Sequence, residues 1–427
     1  MKLSASVIPS LVPRHASRRE ITADSVVPMS LEDPFRDLPP APVITAADPA
    51  EFPHTVFHDR HPRLFAQVRE ALPYGPGQLE ALHRLEHETL HEAMRGLDPR
   101  EAVAAGDHAE WAEWGAPYLD RGTPWTEAPF LWSESYFYRR LLSATGYFTG
   151  AWRGVDPFGP MKAASLAGPD VDRELAVYGE HRELPGGERD AALLTACLWG
   201  NQADLGFQLI AGEPVGVSLL VDDNPAIWAH LNDNPAGRVN LIADNAAEEL
   251  LPDLLLIDRL LSTVRATSVT LYLKPRPYYV SDATTQDATA AIARLVAAPG
   301  LAGEAGRRLW RYCGEGQLVL CAPEFFCSPL SYHHLPKETV DAIAGAALTI
   351  FKGDLNYRRL VGDRLWPATT TFAALTAYLP GPVAALRTCK SDVAVGLTAQ
   401  AVADLDASTP GWRFAGKHAV IQFSGAG

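Results

Sequence analysis

A short polar segment between positions 352 and 358 has the side chains that a phosphate site requires. It belongs to AALTIFKGDLNYRRL, residues 346–360, which begins with an apolar run. That run predicts a buried strand of a parallel sheet. Ligands of open α/β sheets bind at the loops that leave the carboxyl ends of the strands. The polar segment KGDLNYR therefore places a carboxylate, an amide and two cations where a phosphate and a metal ion would bind.

The same residues also suit an ordinary strand-to-helix turn. Gly353 would supply an unusual φ angle, and Asp354 would cap the helix that follows. Caps of this kind are common, so local chemistry alone favours the turn.

Further oxygen donors follow two other predicted strands. Asp244 and Asn245 come directly after a short apolar strand, and Asp282 follows the next strand after a proline-rich connection. If the strands are parallel, these groups gather with Asp354 at one edge of the sheet. Hard divalent cations prefer oxygen ligands of this type. The competing interpretation is that Asp244 caps a helix and Asp282 lies in a turn.

The elements that must position these groups are short strands alternating with helices after Pro235. The strands are predicted at RVNLIAD, SVTLYLK, GQLVLC, AALTIF, PVAALRT and HAVIQF. This alternation predicts a parallel-rich α/β/α sandwich, Rossmann-like, preceded by an all-helical domain. We expect a flexible, proline-rich tail over residues 1–40, a helical domain over 41–234 and an α/β domain over 235–427.

Composition limits the classes of partner. The 427 residues carry a net charge of −14, which argues against nucleic acid and anionic membranes as partners. The longest apolar run, near residues 342–351, is about half the length of a membrane helix. The 5 cysteines form no CxxC pair, which favours reduced thiols and a cytoplasmic location. We expect a monomer or a weak homo-oligomer.

A second motif with potential chemistry is HETLH. His87, Glu88 and His91 match the HExxH pattern of zinc proteases, in which two histidines hold zinc and the glutamate is the base. No HxxGxxH continuation follows, and a five-residue pattern recurs freely. A solvated, histidine-rich helix face is the favoured interpretation.

The segment FKGDLNYRRLVGDRLW closely resembles the signature of the damage-control phosphatase family. The resemblance is to the branch called protein-glutamate methyltransferase-like, known for metal-dependent dephosphorylation of sugar phosphates. Other matching blocks occur in the same order and cover most of the chain from about Pro53: LWGNQADL at 198–205, ADN at 243–245, YYVSD at 278–282 and RTCK at 387–390.

The resemblance implies roles for particular residues. One divalent ion, Mn²⁺ or Mg²⁺ with Co²⁺ or Ni²⁺ as alternatives, would be held by Asp244, Asn245 and Asp282. The implied catalytic residues are Asp244, Asp354 and Arg358. The implied substrate-binding set is Asp244, Asn245, Glu249, Asp282, Asp354, Leu355, Asn356, Tyr357, Arg358 and Lys390. Lys274 and Arg387 also match basic positions.

One departure affects Glu249. Pro252 falls inside the helix predicted after Asn245, where a proline costs about 3 kcal/mol unless the helix kinks or restarts. The position of Glu249 depends on which of these occurs. In the competing interpretation, Glu249 only stabilises the helix dipole.

The expected function is metal-assisted attack of water on a small phosphorylated metabolite, of the fructose 1-phosphate or fructose 6-phosphate type. One alternative is carboxyl (glutamate) methyl transfer from S-adenosylmethionine. No glycine-rich loop follows an early strand, however, and FSGAG occurs only at the extreme C-terminus. The other alternative is a non-catalytic sugar-phosphate-binding protein.

Overall fold

A seven-stranded sheet organises the second half of the chain. The structure is a computed structural model that describes residues 34–36, 38–180, 185–199 and 218–425. The strands are β1 Ser218–Asp222, β2 Gly237–Ile242, β3 Ala266–Tyr272, β4 Leu318–Cys321, β5 Leu348–Lys352, β6 Val383–Thr388 and β7 His418–Ser424. Every neighbouring pair is parallel except β6 and β7. The predicted fold class, a parallel-rich α/β sheet with a helical N-terminal region, is confirmed.

The strand order, β1-β7-β6-β5-β2-β3-β4, creates a switch point between β5 and β2. The chain leaves β2 towards β3 on one side, and it leaves β5 towards β6 on the other. Because crossovers between parallel strands are right-handed, the helices that follow β2 and β5 lie on opposite faces of the sheet. Ligands of such sheets bind in the crevice outside the carboxyl ends at this point.

The register aligns the strand ends at this crevice. Ile242 of β2 pairs with Phe351 of β5 and with Tyr272 of β3. All five residues of β5 are buried, as expected for a central strand covered on both faces. Asp244, Gly353 and Lys274, each two positions beyond one of these paired residues, therefore lie at the same edge of the sheet.

Helices on the sheet faces complete this part. They are α10 Asn224–Asp233, α11 Leu250–Ser262, α12 Thr285–Ala297, α13 Gly300–Glu315, α14 Lys337–Ala344, α15 Gly353–Val361, α16 Phe372–Thr376 and α17 Ala399–Ser408. The chain between β2 and α11 settles the question of Pro252. A 3₁₀ turn over Ala247–Glu249 precedes α11, so the proline lies in the first helical turn, where its missing N–H has no intrahelical role.

The helices before β1 form the N-terminal region. They are α1 Phe52–Thr55, α2 His61–Ala71, α3 Pro76–His91, α4 Pro99–Ala105, α5 His108–Leu119, α6 Phe130–Thr145, α7 Gly159–Leu166, α8 Pro169–Glu180 and α9 Gly186–Trp199, with a π-helical turn at Val56–Arg60 between α1 and α2. α9 packs directly on α11 and β6.

The predicted boundary at residue 234 requires correction. Strand β1 precedes that boundary and belongs to the sheet, and residues 40–427 form one compact unit by their contacts. The predicted tail, 1–40, lies almost entirely outside the described residues. In the described part of the chain, no helix has both the length and the hydrophobicity needed to cross a membrane.

Candidate metal and phosphate site

Two loops pair with each other at the switch point. The main chains of Asn245 and Asp282 form an isolated antiparallel bridge. On either side of this bridge, the Ala283 N–H donates to Asp244 O at 2.8 Å, and the Ala246 N–H donates to Ser281 O at 2.7 Å. This short ladder brings together the three residues predicted to hold a metal ion.

The two carboxylates in the ladder are buried. Asp244 is 8% exposed and Asp282 is 2% exposed. Burial, followed by the charges of Asp282 and Glu249, raises the pKa of Asp244 well above its usual value. Burial also raises the pKa of Asp282, and Lys274 and Lys162 act in the opposite direction. Two negative groups held close together out of water favour the arrival of a cation.

Lys274 forms an ion pair with one of these carboxylates, that of Asp282. It follows β3, is 2% exposed, and its Nζ lies 3.4 Å from Asp282 Oδ2. Within the described structure, neither of these two atoms has a hydrogen-bond partner. Buried charged atoms are expensive to leave without hydrogen bonds. Lys274 Nζ can therefore still donate hydrogen bonds, and Asp282 Oδ2 can still accept them or bind a cation.

These residues fit a hard divalent cation. Asp244 and Asp282 offer carboxylate oxygens, and Asn245 offers an amide oxygen that already accepts from Ser281 Oγ at 2.7 Å. Asp282 Oδ2 is an orphaned buried acceptor. Oxygen donors of this kind suit Mg²⁺ or Mn²⁺ better than zinc.

The main chain of Gly353 lies against the carboxylate of Asp244. Its φ angle is +81°, and a Cβ atom at this position would lie 1.8 Å from Asp244 Oδ2. Only glycine fits, because it tolerates a positive φ and has no side chain. The first turn of α15 thus begins in contact with the carboxylate.

Asp354, the next residue, is held firmly by its surroundings. Its Oδ1 accepts from Arg387 Nε at 2.7 Å, Ser391 Oγ at 3.0 Å and the Lys390 N–H at 3.4 Å. Although burial acts to raise it, Arg387 and then Arg358 keep the pKa of Asp354 below its usual value. The Asp354 carboxylate is therefore ionised near neutral pH, with Oδ2 outside these three bonds.

Glu249 and Lys390 face each other across the site. Lys390 Nζ lies 3.7 Å from Glu249 Oε1, with the lysine side chain 51% exposed and the glutamate 24% exposed. Glu249 ends the 3₁₀ turn that follows the Asp244 loop. The restart of the helix at Leu250 therefore keeps Glu249 beside the crevice.

Arg358 is not placed as a phosphate clamp. It is 4% exposed, and its Nε and Nη2 donate to the two carboxylate oxygens of Asp363 at 2.7 and 3.0 Å. Its Nη1 donates to Glu134 Oε2 at 3.0 Å. Because the guanidinium already binds two carboxylates, the structure does not bring Arg358 together with the other residues predicted to bind substrate and to catalyse the reaction.

Three other predicted substrate contacts also point into the interior. Leu355 packs with Leu131. Asn356 is fully buried, and its Nδ2 donates to Ala243 O at 2.9 Å and Lys352 O at 2.7 Å. Tyr357 donates its hydroxyl to Gln422 Oε1 at 2.7 Å. These side chains hold α15 in place, so apart from the Asp354 side chain only the main chain of this turn can face a ligand.

In HETLH, the glutamate that a zinc site would need as its base is already paired with a cation. Glu88 is buried and accepts two bonds from Arg140, at 3.0 and 2.9 Å. His87 faces Glu92 at 3.1 Å. Across the described residues, no three His, Cys, Asp or Glu side chains form a group that could hold a metal ion.

Some positions that matter carry no signal in the sequence. Lys162 contacts the Asp282 loop from 120 positions earlier in the chain, and no spacing rule connects them. The block LWGNQADL, at 198–205, lies outside the described residues except for its first two positions.

Comparison with known proteins identifies the family of this chain. The family model described as the damage-control phosphatase ARMT1-like domain matches residues 56–405. The damage-control phosphatase ARMT1 of Danio rerio is 30% identical, over 91% of this chain and 97% of the relative. The protein of the same name from Bos taurus is 34% identical, over 70% of this chain and 75% of the relative.

A solved structure of a DUF89 family protein from Pyrococcus horikoshii aligns with 81% of this chain and 96% of its own. It has 15% sequence identity and a TM-score of 0.46. The family model covers well over half of the chain. The chain therefore belongs to the damage-control phosphatase ARMT1-like family.

Proposed function

We propose that this protein is a divalent-metal-dependent phosphatase that hydrolyses small sugar phosphates. The main support is the ladder that joins Asp244 and Asn245 to Asp282, beside the first turn of α15. The family, whose description names a phosphatase, supports the reaction class. Asp244, Asn245 and Asp282 would hold the ion, which supplies Lewis-acid stabilisation of charge at the phosphoryl group.

The chain's own residues then bind and orient the ester. The first N–H groups of α15 have no intrahelical acceptor, as at any helix start, and suit phosphoryl oxygens. Lys390, half exposed at the crevice, adds a cation. The carboxylate of Glu249 accepts hydrogen bonds from hydroxyl groups of the sugar. Binding would separate Lys390 from Glu249, because phosphate and hydroxyl groups compete for these two side chains.

Asp354 orients the attacking water through its Oδ2. Its Oδ1 is fixed by three donors, so the second oxygen has a defined direction. The water oxygen forms a bond to phosphorus as the bond to the ester oxygen breaks. One proton of this water ends on the departing sugar oxygen, and the other stays on the phosphate. Positioning and charge stabilisation supply most of the rate in reactions of this type.

The test is a phosphate-release screen over a panel of sugar phosphates, including fructose 1-phosphate and fructose 6-phosphate, with Mg²⁺, Mn²⁺, Co²⁺ and Ni²⁺ separately. We expect release that depends on the added metal and is lost with a chelator. Absence of release from every substrate, together with tight binding of S-adenosylmethionine, would favour methyl transfer instead. Binding of a sugar phosphate without turnover would favour the non-catalytic alternative.

A further inference from the structure

Lys162 joins the N-terminal helical region to the loop that carries Asp282. It lies on α7 and is 6% exposed. Its Nζ donates to Asp287 Oδ2 at 2.6 Å and to the main-chain oxygen of Asp282 at 3.4 Å, and it lies 2.7 Å from Asp156 Oδ2. A side chain of α7 in the helical region thus contacts the loop that carries Asp282.

Asp287 transmits this contact to the loop. Its Oδ2 also accepts from the Thr284 N–H at 2.9 Å and from Thr284 Oγ at 2.7 Å. These bonds belong to the capping box that starts α12. The loop is therefore fixed on one side by the Ala283 bond to Asp244, and on the other by Asp287 and Lys162.

Lys162 lies beside a cavity of about 540 Å³ that is also lined by Asp287 and Ala247. Burying an ammonium group costs several kcal/mol before its partners compensate. Its partners are Asp156 just before α7, Asp287 in the helix cap and the main-chain oxygen of Asp282.

We propose that Lys162 is a positioning residue for the metal site: it fixes residues 282–284 so that the Asp282 carboxylate meets Asp244. This proposal rests on the proposed function, in which Asp282 holds the ion. It also makes the helical region part of the scaffold of the metal site.

The test compares Lys162→Met with the parent protein in two measurements. In metal-free protein, we expect faster amide hydrogen exchange at residues 281–284. In calorimetric titration with Mn²⁺, we expect roughly ten- to a hundredfold weaker binding, as for other groups that orient metal ligands. The direction of the change in Mn²⁺ affinity separates two effects of Lys162→Met. Removing the lysine's positive charge would by itself tighten Mn²⁺ binding, so weaker binding indicates that the loop has lost its position.

Arg140→Met is the matched control. Arg140 forms a similarly enclosed ion pair, with Glu88, within the helical region. Both variants should lose stability, but only Lys162→Met should change Mn²⁺ affinity and exchange in the loop. If Lys162→Met does not fold, Asp287→Asn removes the other end of the same contact and is expected to give the same two changes.

Unchanged exchange in the loop, or unchanged or tighter Mn²⁺ binding, in a folded variant would overturn the role of Lys162. Lys162→Arg keeps the charge and should recover part of the affinity. If the parent protein itself bound no Mn²⁺, the proposed function would fail and the metal-positioning role with it. The exchange measurement would then separately establish whether Lys162 fixes the loop.

Discussion

The carboxylate of Asp244 lies directly against the main chain of Gly353, where the carboxyl ends of β2 and β5 meet. A Cβ atom on residue 353 would lie 1.8 Å from Asp244 Oδ2. The position of the Asp244 carboxylate, the proposed metal ligand, therefore depends on the absence of a side chain at the start of α15.

Gly353→Ala is expected to abolish metal-dependent turnover and to weaken metal binding, because the new methyl group displaces Asp244. Gly316→Ala is the control: Gly316 has a φ angle of +74°, yet a Cβ there meets nothing within 4 Å. That control should lose only about 1 kcal/mol of stability. Melting temperature and phosphate release, measured on both variants, separate strain from function. Equal kinetics in the two would contradict the close fit.

Asp244→Asn should eliminate metal binding without reducing the stability of metal-free protein. Its carboxylate shares buried surroundings with Asp282 and with Glu249, so the amide relieves repulsion between like charges. Calorimetric metal titration and urea unfolding provide the check. Undiminished metal affinity would remove Asp244 from the metal site.

Arg358 and Lys390 should respond differently when each is replaced by Met. Arg358→Met breaks buried ion pairs with Asp363 and Glu134, a loss of about 3 to 5 kcal/mol, with near-normal kinetics in the molecules that stay folded. Lys390→Met should keep its melting temperature and lose about ten- to a hundredfold in kcat/KM. The opposite pattern would restore Arg358 as the phosphate clamp.

His61 should make the fold sensitive to acid. It is 2% exposed, lies flat on Phe137 with ring centroids 3.6 Å apart, and neither ring nitrogen has a hydrogen-bond partner in the described structure. Burial, and then the charge of Arg60, lowers the pKa of His61 well below its usual value.

The unfolded chain therefore binds a proton near pH 6.5 that the folded protein excludes. The free energy of unfolding should fall as the pH drops below about 6.5, by up to about 1.4 kcal/mol per pH unit from this residue. Denaturant unfolding between pH 5 and 8 measures the slope. His61→Leu should flatten it, and an unchanged slope would assign the acid sensitivity to other groups.

The histidines of HETLH should be dispensable. The double variant His87→Ala with His91→Ala is expected to retain phosphatase activity, because a hard-cation site elsewhere does not need imidazole. Glu88→Ala should instead lower the melting temperature, since Arg140 would lose its buried partner. Stoichiometric zinc that disappears with activity in the double variant would contradict this prediction.

The central strands could be predicted because burial on both faces requires almost continuous apolar residues, as in β5. The edge strand β1 is not predicted from the sequence: only three apolar residues, Leu219 to Val221, are central to it, and a run this short specifies a strand only through its pairing with β7. The antiparallel course of β7 beside β6 was also not predicted, since strand direction depends on how the chain returns to the sheet.

The sequence by itself determined which chemical groups follow the strands: Asp244, Asn245 and the turn at Gly353 come directly after short strands, Asp282 comes after a proline-rich connection, and their order resembles that of the family. Tertiary structure alone decided which side chains face the crevice. Arg358 binds Glu134 across 224 positions, and Lys162 reaches the Asp282 loop across 120. Local spacing specifies strands and turns, whereas the direction of a side chain and its partner depend on elements packed from distant parts of the chain.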